Sequence, residues 1–324
     1  MNKKVKTGLA FAVTIILFIY LFHDLDLELF VDYLLKGDQK LILLASALYL
    51  TSFLVRGLRW KILLGHLGNF KLKELSILTI AGYAVNNVLP VRIGEFTRAW
   101  ITGKRNNVSR TSVLASIFVE RIFDGLTIAL ILSITLFFYP FPQSVKTLAI
   151  LASGLFALLF LFIMFGTFSD KPVKIMKYLE SRSPKKISFI FELADKFLKG
   201  ASSLKSWKQV LMVTLLSILT WTIELGVYLI ISAAFDVNIP FVGYLYMLCA
   251  ANLGMLAAPT PGGLAVFQAA IVYALRSFSI LYEKRMAVAI VLHMAQIIPV
   301  TIIGLLWLYF NQISITSTQD DESE

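Results

Sequence analysis

Apolar residues dominate six stretches of the chain, at residues 5–22, 40–60, 112–138, 146–168, 209–233 and 286–309. A helix needs about 17–25 such residues to cross a hydrocarbon core, so each stretch is predicted to be a spanning helix. Two more apolar stretches, 72–90 and 241–275, are interrupted by Pro and Gly near their middle or end. Each is predicted to be a helical hairpin that enters and leaves the bilayer on one side. Broken backbone survives at that depth only when protein buries it or it lines a wet cavity.

Polar residues between the stretches set the sidedness. Lys3, Lys4 and Lys6 precede the first stretch, and the acidic "HDLDLELFVDYLLKGDQK" follows it. Lys and Arg favour the cytoplasmic side, which places the N-terminus inside, this loop outside, and "RGLRWK" at Arg56–Lys61 back inside. Residues 171–208 hold ten Lys/Arg against Glu180, Glu192 and Asp195. They are predicted to form two short amphipathic helices on an anionic inner leaflet. The C-terminus is also predicted to be cytoplasmic, and its acidic "STQDDESE" to be a disordered tail. Arg276, Lys284 and Arg285 fall outside under this scheme and run against the bias.

The two halves match at an offset of 169 residues: Pro90 falls on Pro259, Gly94 on Gly263 and Gly57 on Gly226. Both halves read span, broken hairpin, span, and one extra span separates them. An odd spacer inverts the second unit, and inverted repeats with matching broken helices are the pattern of alternating-access transporters. The predicted fold is therefore an all-α polytopic membrane protein with about six full spans and two re-entrant hairpins in an inverted repeat. Its expected segments are 1–39, a first repeat at 40–140, a linking segment at 141–208, a second repeat at 209–310 and a tail at 311–324.

Composition removes several function classes. The chain of 324 residues is 58% hydrophobic, above the 45–50% usual in soluble domains. The one cysteine, Cys249, excludes an internal disulfide and a cysteine-based zinc site. His23, His66 and His293 lie far apart, without metal-ligand spacing. The formal charge of +10 sits beside apolar spans, which points to lipid headgroups rather than nucleic acid. No cofactor is expected.

The candidate chemistry gathers around "NNVLPVRIGEFTRAW", Asn86–Trp100. Pro90 and Gly94 can end one half-helix and start another. Glu95 would then lie in a first turn, where a carboxylate is favoured. Arg92 and Arg98 flank it, and freed N–H groups with two guanidiniums suit a phosphate. Asn87 is a further candidate contact. A cytoplasmic loop whose arginines fix topology would read the same way. Within the third span, Glu120 and Asp124 share a helix face, and Arg121 is three residues from Asp124. Ionisable groups at such depth are functional candidates by default, with a structural ion cluster holding Arg92 or Arg98 as the plain alternative. Arg59 and Trp60 read as an interfacial anchor or as a headgroup contact. In "AAPTPGGLAVFQ", Pro259, Pro261, Gly262 and Gly263 form a turn that lets backbone approach a ligand, and Gln268 adds an amide. Glu224 and His293 complete the intramembrane polar set. His293 aligns with Asp124 and is expected to be a helix-packing residue or a proton carrier.

"RGLRW", "NNVLPVRIGEFTRAW", "ERIFD" and "APTPGGLAVFQ" in this order resemble the signature segments of the lysylphosphatidylglycerol synthase transmembrane-region family, the flippase-like domain proteins. The resemblance spans roughly residues 40–310. It implies relocation of a lipid, such as an aminoacylated phosphatidylglycerol or a polyprenyl-phosphate-linked lipid, across the cytoplasmic membrane. Family members carry a glutamate near the position of Gln268, so an amide replaces a proton carrier here. Larger members add a soluble aminoacyl-transferase or glycosyltransferase domain. Neither follows residue 310, so the expectation is a transporter rather than an enzyme. The expected partners are lipids with phosphate headgroups and a separate lipid-modifying enzyme. Two competing readings are a membrane glycosyltransferase with Asp24 and Asp26 as its acids, and a scaffold for a partner enzyme.

Overall fold

The computed structural model describes residues 3–89, 93–138, 143–168, 178, 204, 206–257 and 260–313. Pro90, Arg92, Pro259, the acidic tail and nearly all of the basic segment between 171 and 205 lie outside these residues. The described residues form eleven α-helices: α1 (Lys3–His23), α2 (Leu27–Lys36), α3 (Gln39–Leu64), α4 (Leu72–Val88), α5 (Gly94–Asn106), α6 (Arg110–Phe138), α7 (Gln143–Phe168), α8 (Trp207–Ala234), α9 (Phe241–Ala257), α10 (Val266–Leu275) and α11 (Tyr282–Phe310). Each of the six predicted spanning stretches falls within one helix. Four of these helices, α3, α6, α8 and α11, are long and apolar enough to cross a membrane by length and composition. The described parts of α1 and α7 carry shorter apolar stretches.

Local chemistry fixes the helix ends. Asp26 caps α2 by accepting from Leu29 N at 3.0 Å, and Asp38 caps α3 by accepting from Lys40 N and Leu41 N. Both caps satisfy amides that have no partner within the helix. Leu89 is extended, with φ −104 and ψ 137, as the residue before a proline tends to be, and α4 stops there. Asn107 closes α5 in the left-handed region.

The first hairpin differs from its sequence reading. Residues 72–88 are one continuous helix, and the return arm is α5, which hydropathy did not mark. Polar and basic residues in "GEFTRAWITGKRN" hide it from an apolar-run criterion. The arms approach very closely: a Cβ on Gly94 would overlap the Gly82 carbonyl, and one on Gly82 would lie 2.6 Å from the Arg98 side chain. The second pair, α9 and α10, is joined by a tight turn through Pro261–Gly263. Gly262 and Gly263 there have φ of 57° and 74°.

α3 packs mainly on α8, α4 on α11, α9 on α10, and α6 on α7 and α5. Two apolar cores result. One takes Ala45–Phe53 of α3, Ile128 and Leu132 of α6, and much of α8, α9 and α11. The other takes Trp60–Leu64 of α3, Val113–Phe123 of α6, and Val210 and Val213 of α8. The cores meet at the level of Arg56, Arg59 and Asp124, so a charged layer separates them. Leu151, Leu155 and Leu158 of α7 and Leu211 and Leu215 of α8 face outward, as a lipid-solvated bundle requires.

Gly94→Ala is expected to cost about 1–3 kcal/mol through overpacking, measured by denaturation of the detergent-purified protein. Unchanged stability would mean that α4 and α5 do not pack this closely.

Candidate functional site

The charged layer is built from three long helices and one hairpin arm. Arg59 of α3 has no exposed side-chain surface. It donates to both Asp124 carboxylate oxygens at 2.5 and 3.2 Å and to Ser217 Oγ at 2.7 Å, and it lies 3.2 Å from Glu120. Arg98 of α5 reaches Glu120 at 3.2 Å and stacks 4.0 Å above the Trp60 ring. Arg121 bridges Glu120 at 2.6 Å and Asp124 at 3.5 Å. Arg56 pairs with Glu224 of α8 at 2.7 Å and donates to Tyr83 Oη of α4 at 2.8 Å. Four guanidiniums thus meet three carboxylates, and Glu95 in the adjoining cavity wall brings the described charges of layer and wall to zero. A planar guanidinium holds a carboxylate with a rigid fork of donors, as Arg59 holds Asp124, and an ammonium lacks that geometry.

These positions refine the sequence reading residue by residue. Glu120 does hold Arg98. Arg59 and Trp60 are buried, and Trp60 Nε1 donates to Ser116 Oγ at 3.0 Å, so both lie inside the bundle rather than at an interface. α3 runs on to Leu64, and α6 and α8 cover that turn. Arg98 is buried behind Glu120, away from the cavity described below. Asp24 bonds His23, and Asp26 is a helix cap, so their side chains already have local partners. No group of three or more His, Cys, Asp or Glu that could hold a metal occurs among the described residues.

A cavity of about 390 Å³ opens beside this layer, between the two helix breaks. One wall is charged and includes Arg56, Arg121, Glu95, Asp124 and Glu224. The rest of the lining is uncharged: the polar Asn87, Asn252, Thr260, His293 and Gln296, and a larger set of apolar residues such as Phe156, Leu253 and Ile297. Arg121 keeps a third of its side chain exposed. Arg56 Nε and Arg121 Nε are buried donors without a protein partner among the described residues.

Each break is held by specific bonds. Asn86 accepts from Gly94 N at 2.7 Å and donates to Glu95 at 3.1 Å, so it caps α5 and fixes Glu95. Asn87 instead donates to Thr301 of α11 at 2.8 Å. In the second break, Thr260 Oγ1 donates to Leu264 O at 2.9 Å. His293 Nε2 lies 3.0 Å from Gly262 O, and its Nδ1 lies 3.0 Å from the Gln268 amide. A carbonyl only accepts, so Nε2 carries the proton and Nδ1 accepts from Gln268. The ring stacks on Phe267 at 4.2 Å. Both nitrogens of His293 are engaged in packing the turn against α11. The breaks touch: a Cβ on Gly262 would lie 3.1 Å from Asn87 O.

Sequence reasoning missed Arg56, Tyr83, Asn86, Asn252 and Gln296 as parts of this site. A signal existed for three of them. Arg56 precedes Arg59 and Trp60 by one helical turn, and Tyr83 precedes Asn86 and Asn87 by one turn, so each set shares a face. Arg59→Ala is expected to cost about 3–5 kcal/mol, because it leaves buried charge uncompensated. The check is the unfolding transition in detergent, and a variant as stable as the parent would refute the network.

Known proteins share this arrangement's sequence. The UPF0104 membrane protein MJ1078 of Methanocaldococcus jannaschii is 26% identical over 245 residues, covering 74% of this chain and 98% of that protein. A UPF0104 membrane protein of Methanothermobacter thermautotrophicus is 23% identical over 268 residues, 78% of each chain. Glycosyltransferase AglD of Haloferax volcanii is 36% identical over 94 residues, which is 29% of this chain and 15% of AglD. The family model for the lysylphosphatidylglycerol synthase TM region matches residues 7–304. This chain is a helical membrane protein that belongs to that family.

Proposed function

We propose that this protein is a lipid translocator that binds the phosphate of an anionic or aminoacylated phospholipid, or of a polyprenyl-phosphate-linked lipid, between its two helix breaks. One observation carries the reading: a cavity of about 390 Å³ at the junction of the breaks is lined by Arg56 and Arg121, and Arg121 keeps a third of its side chain exposed. Guanidiniums inside an apolar bundle are costly unless paired or in a wet cavity. A phosphate oxygen suits guanidinium donors that line a cavity. Arg92, three residues after Leu89, belongs to the same proposal as a further phosphate contact. Glu95 and Asn87 are proposed to line the headgroup path, and Glu120, Asp124 and Arg98 to hold Arg121 in place.

Matching breaks at an offset of 169 residues, and their contact at Gly262 and Asn87, favour two inverted halves around residues 40–140 and 209–310. In this reading the six long apolar helices cross the cytoplasmic membrane, and both termini are cytoplasmic. α4–α5 and α9–α10 are re-entrant pairs that open to opposite sides in turn.

The test uses proteoliposomes carrying a fluorescent short-chain phosphatidylglycerol and a quencher that cannot cross the membrane. Arg121→Ala is expected to slow lipid movement about tenfold or more, as loss of a charge-assisted bond would, while insertion stays at the parent level. Parent-like lipid movement in that variant would overturn the reading.

A further inference from the structure

Glu224 stands apart from the other carboxylates of the layer. Glu120 contacts Arg59, Arg98 and Arg121, and Asp124 contacts Arg59 and Arg121. Glu224 has one cationic partner among the described residues, Arg56. Both members of this pair line the cavity. The Arg56 guanidinium is otherwise held by the Tyr83 hydroxyl and by the Phe53, Tyr83 and Trp221 rings at 5.8, 5.3 and 5.9 Å. Its ionic contact among the described residues is therefore the one an incoming anion competes for.

We propose that a phosphodiester entering the cavity takes Arg56 from Glu224, and that Glu224 then binds one proton from cavity water, so that the site takes up one proton per anion. This deepens the proposed function and rests on reading the cavity as an anionic-headgroup site. The charge balance supports it. Before binding, Arg56 and Glu224 sum to zero. Afterwards Arg56 and the phosphodiester sum to zero and the protonated Glu224 is neutral. Without the proton, a carboxylate would remain buried and uncompensated, which an apolar bundle strongly disfavours.

Glu95 of α5 shares the cavity wall and already accepts from the Asn86 amide, so the Glu224→Gln variant is what separates its titration from that of Glu224. From α3, Glu224 meets Arg56, with Tyr49 and Arg59 nearby. From α6 come Arg121 and Asp124, with Glu120 behind them. Tyr83 of α4 reaches it through Arg56, and Tyr228 lies one turn away on α8. Cys249 of α9 is buried, and His293 of α11 uses both nitrogens in the turn. Asp124 and Glu120 keep Arg59 whichever cavity arginine is drawn away.

The experiment uses the full-length protein in detergent and two probes that stay ionised between pH 5 and 8, dioctanoyl phosphatidylglycerol and dimethyl phosphate. Trp221, beside Arg56, reports binding by its fluorescence, and proton uptake is counted in weakly buffered solution. Because the bound form holds the extra proton, affinity is expected to fall as pH rises. The slope approaches about tenfold per pH unit, with about one proton taken up per lipid bound. Glu224→Gln is expected to abolish the uptake and flatten the pH dependence. Uptake with the lipid alone identifies a lipid headgroup as the anion; uptake with both probes shows that the phosphodiester group suffices. Binding to the parent protein without proton uptake overturns the exchange and leaves the anion site standing. Equal uptake in Glu224→Gln also overturns it. Failure of both probes to bind overturns the exchange together with the anion-site reading. The proton count on the parent protein decides whether or not the variant folds.

Discussion

The constraint on which the rest of the structure depends is the layer of guanidiniums and carboxylates between two apolar cores. Charges there are tolerated only when each finds a counter-charge and hydrogen-bond partners. Arg59 meets this demand with Asp124, Glu120 and Ser217 at once, which ties α3 to α6 and α8 in one register. Apolar packing in lipid gives helices little preference for one register over another, because lipid tails are as apolar as Leu. A bidentate pair such as Arg59–Asp124 is specific to one. The close approach of α4 and α5 at Gly82 and Gly94 has the same logic, since it brings Arg98 within reach of Glu120.

Much of this was legible in the chain, and the remainder failed for identifiable reasons. Long apolar runs marked the helices, because hydropathy responds to length and composition. Pro90 and Gly94 marked the first break, and α5 does begin at Gly94 with Glu95 in its first turn. The four-residue spacing of Glu120 and Asp124 placed them on one face of α6. The length and burial of the return arm α5 were not legible, because its polar composition reads as a loop while the helix packs in the bundle. Arg59 and Trp60 were misread because they close an apolar run in one dimension, whereas α6 and α8 cover them in three. The Arg56–Glu224 pair joins residues 168 positions apart, a separation that no periodicity encodes.

The two breaks divide the chemistry unequally. The first half, with Glu224 of α8, supplies the charges of the cavity. The second break supplies backbone and neutral groups: Gly262 O, Thr260, the Gln268 amide and a neutral His293. Gln268 is consistent with this division. An ionised glutamate there would face His293 Nδ1, a lone pair in the tautomer that Gly262 O selects. The amide donates to that lone pair instead, and the turn stays uncharged beside the charged layer.

α11 links the two ends of this arrangement. Its Thr301 accepts from Asn87 at the first break, and its His293 bonds Gly262 at the second. Pro299 lies inside the helix between them, where its missing N–H removes one turn-to-turn hydrogen bond and leaves a bend point. Gly262 and Asn87 are also in direct contact. Separating the breaks to widen the cavity therefore requires α11 to bend at Pro299 or one of these two hydrogen bonds to open. The ion layer resists the first course less than it resists sliding. Arg59 locks α3, α6 and α8 together and makes no bond to α11, so α11 can bend without breaking an ion pair.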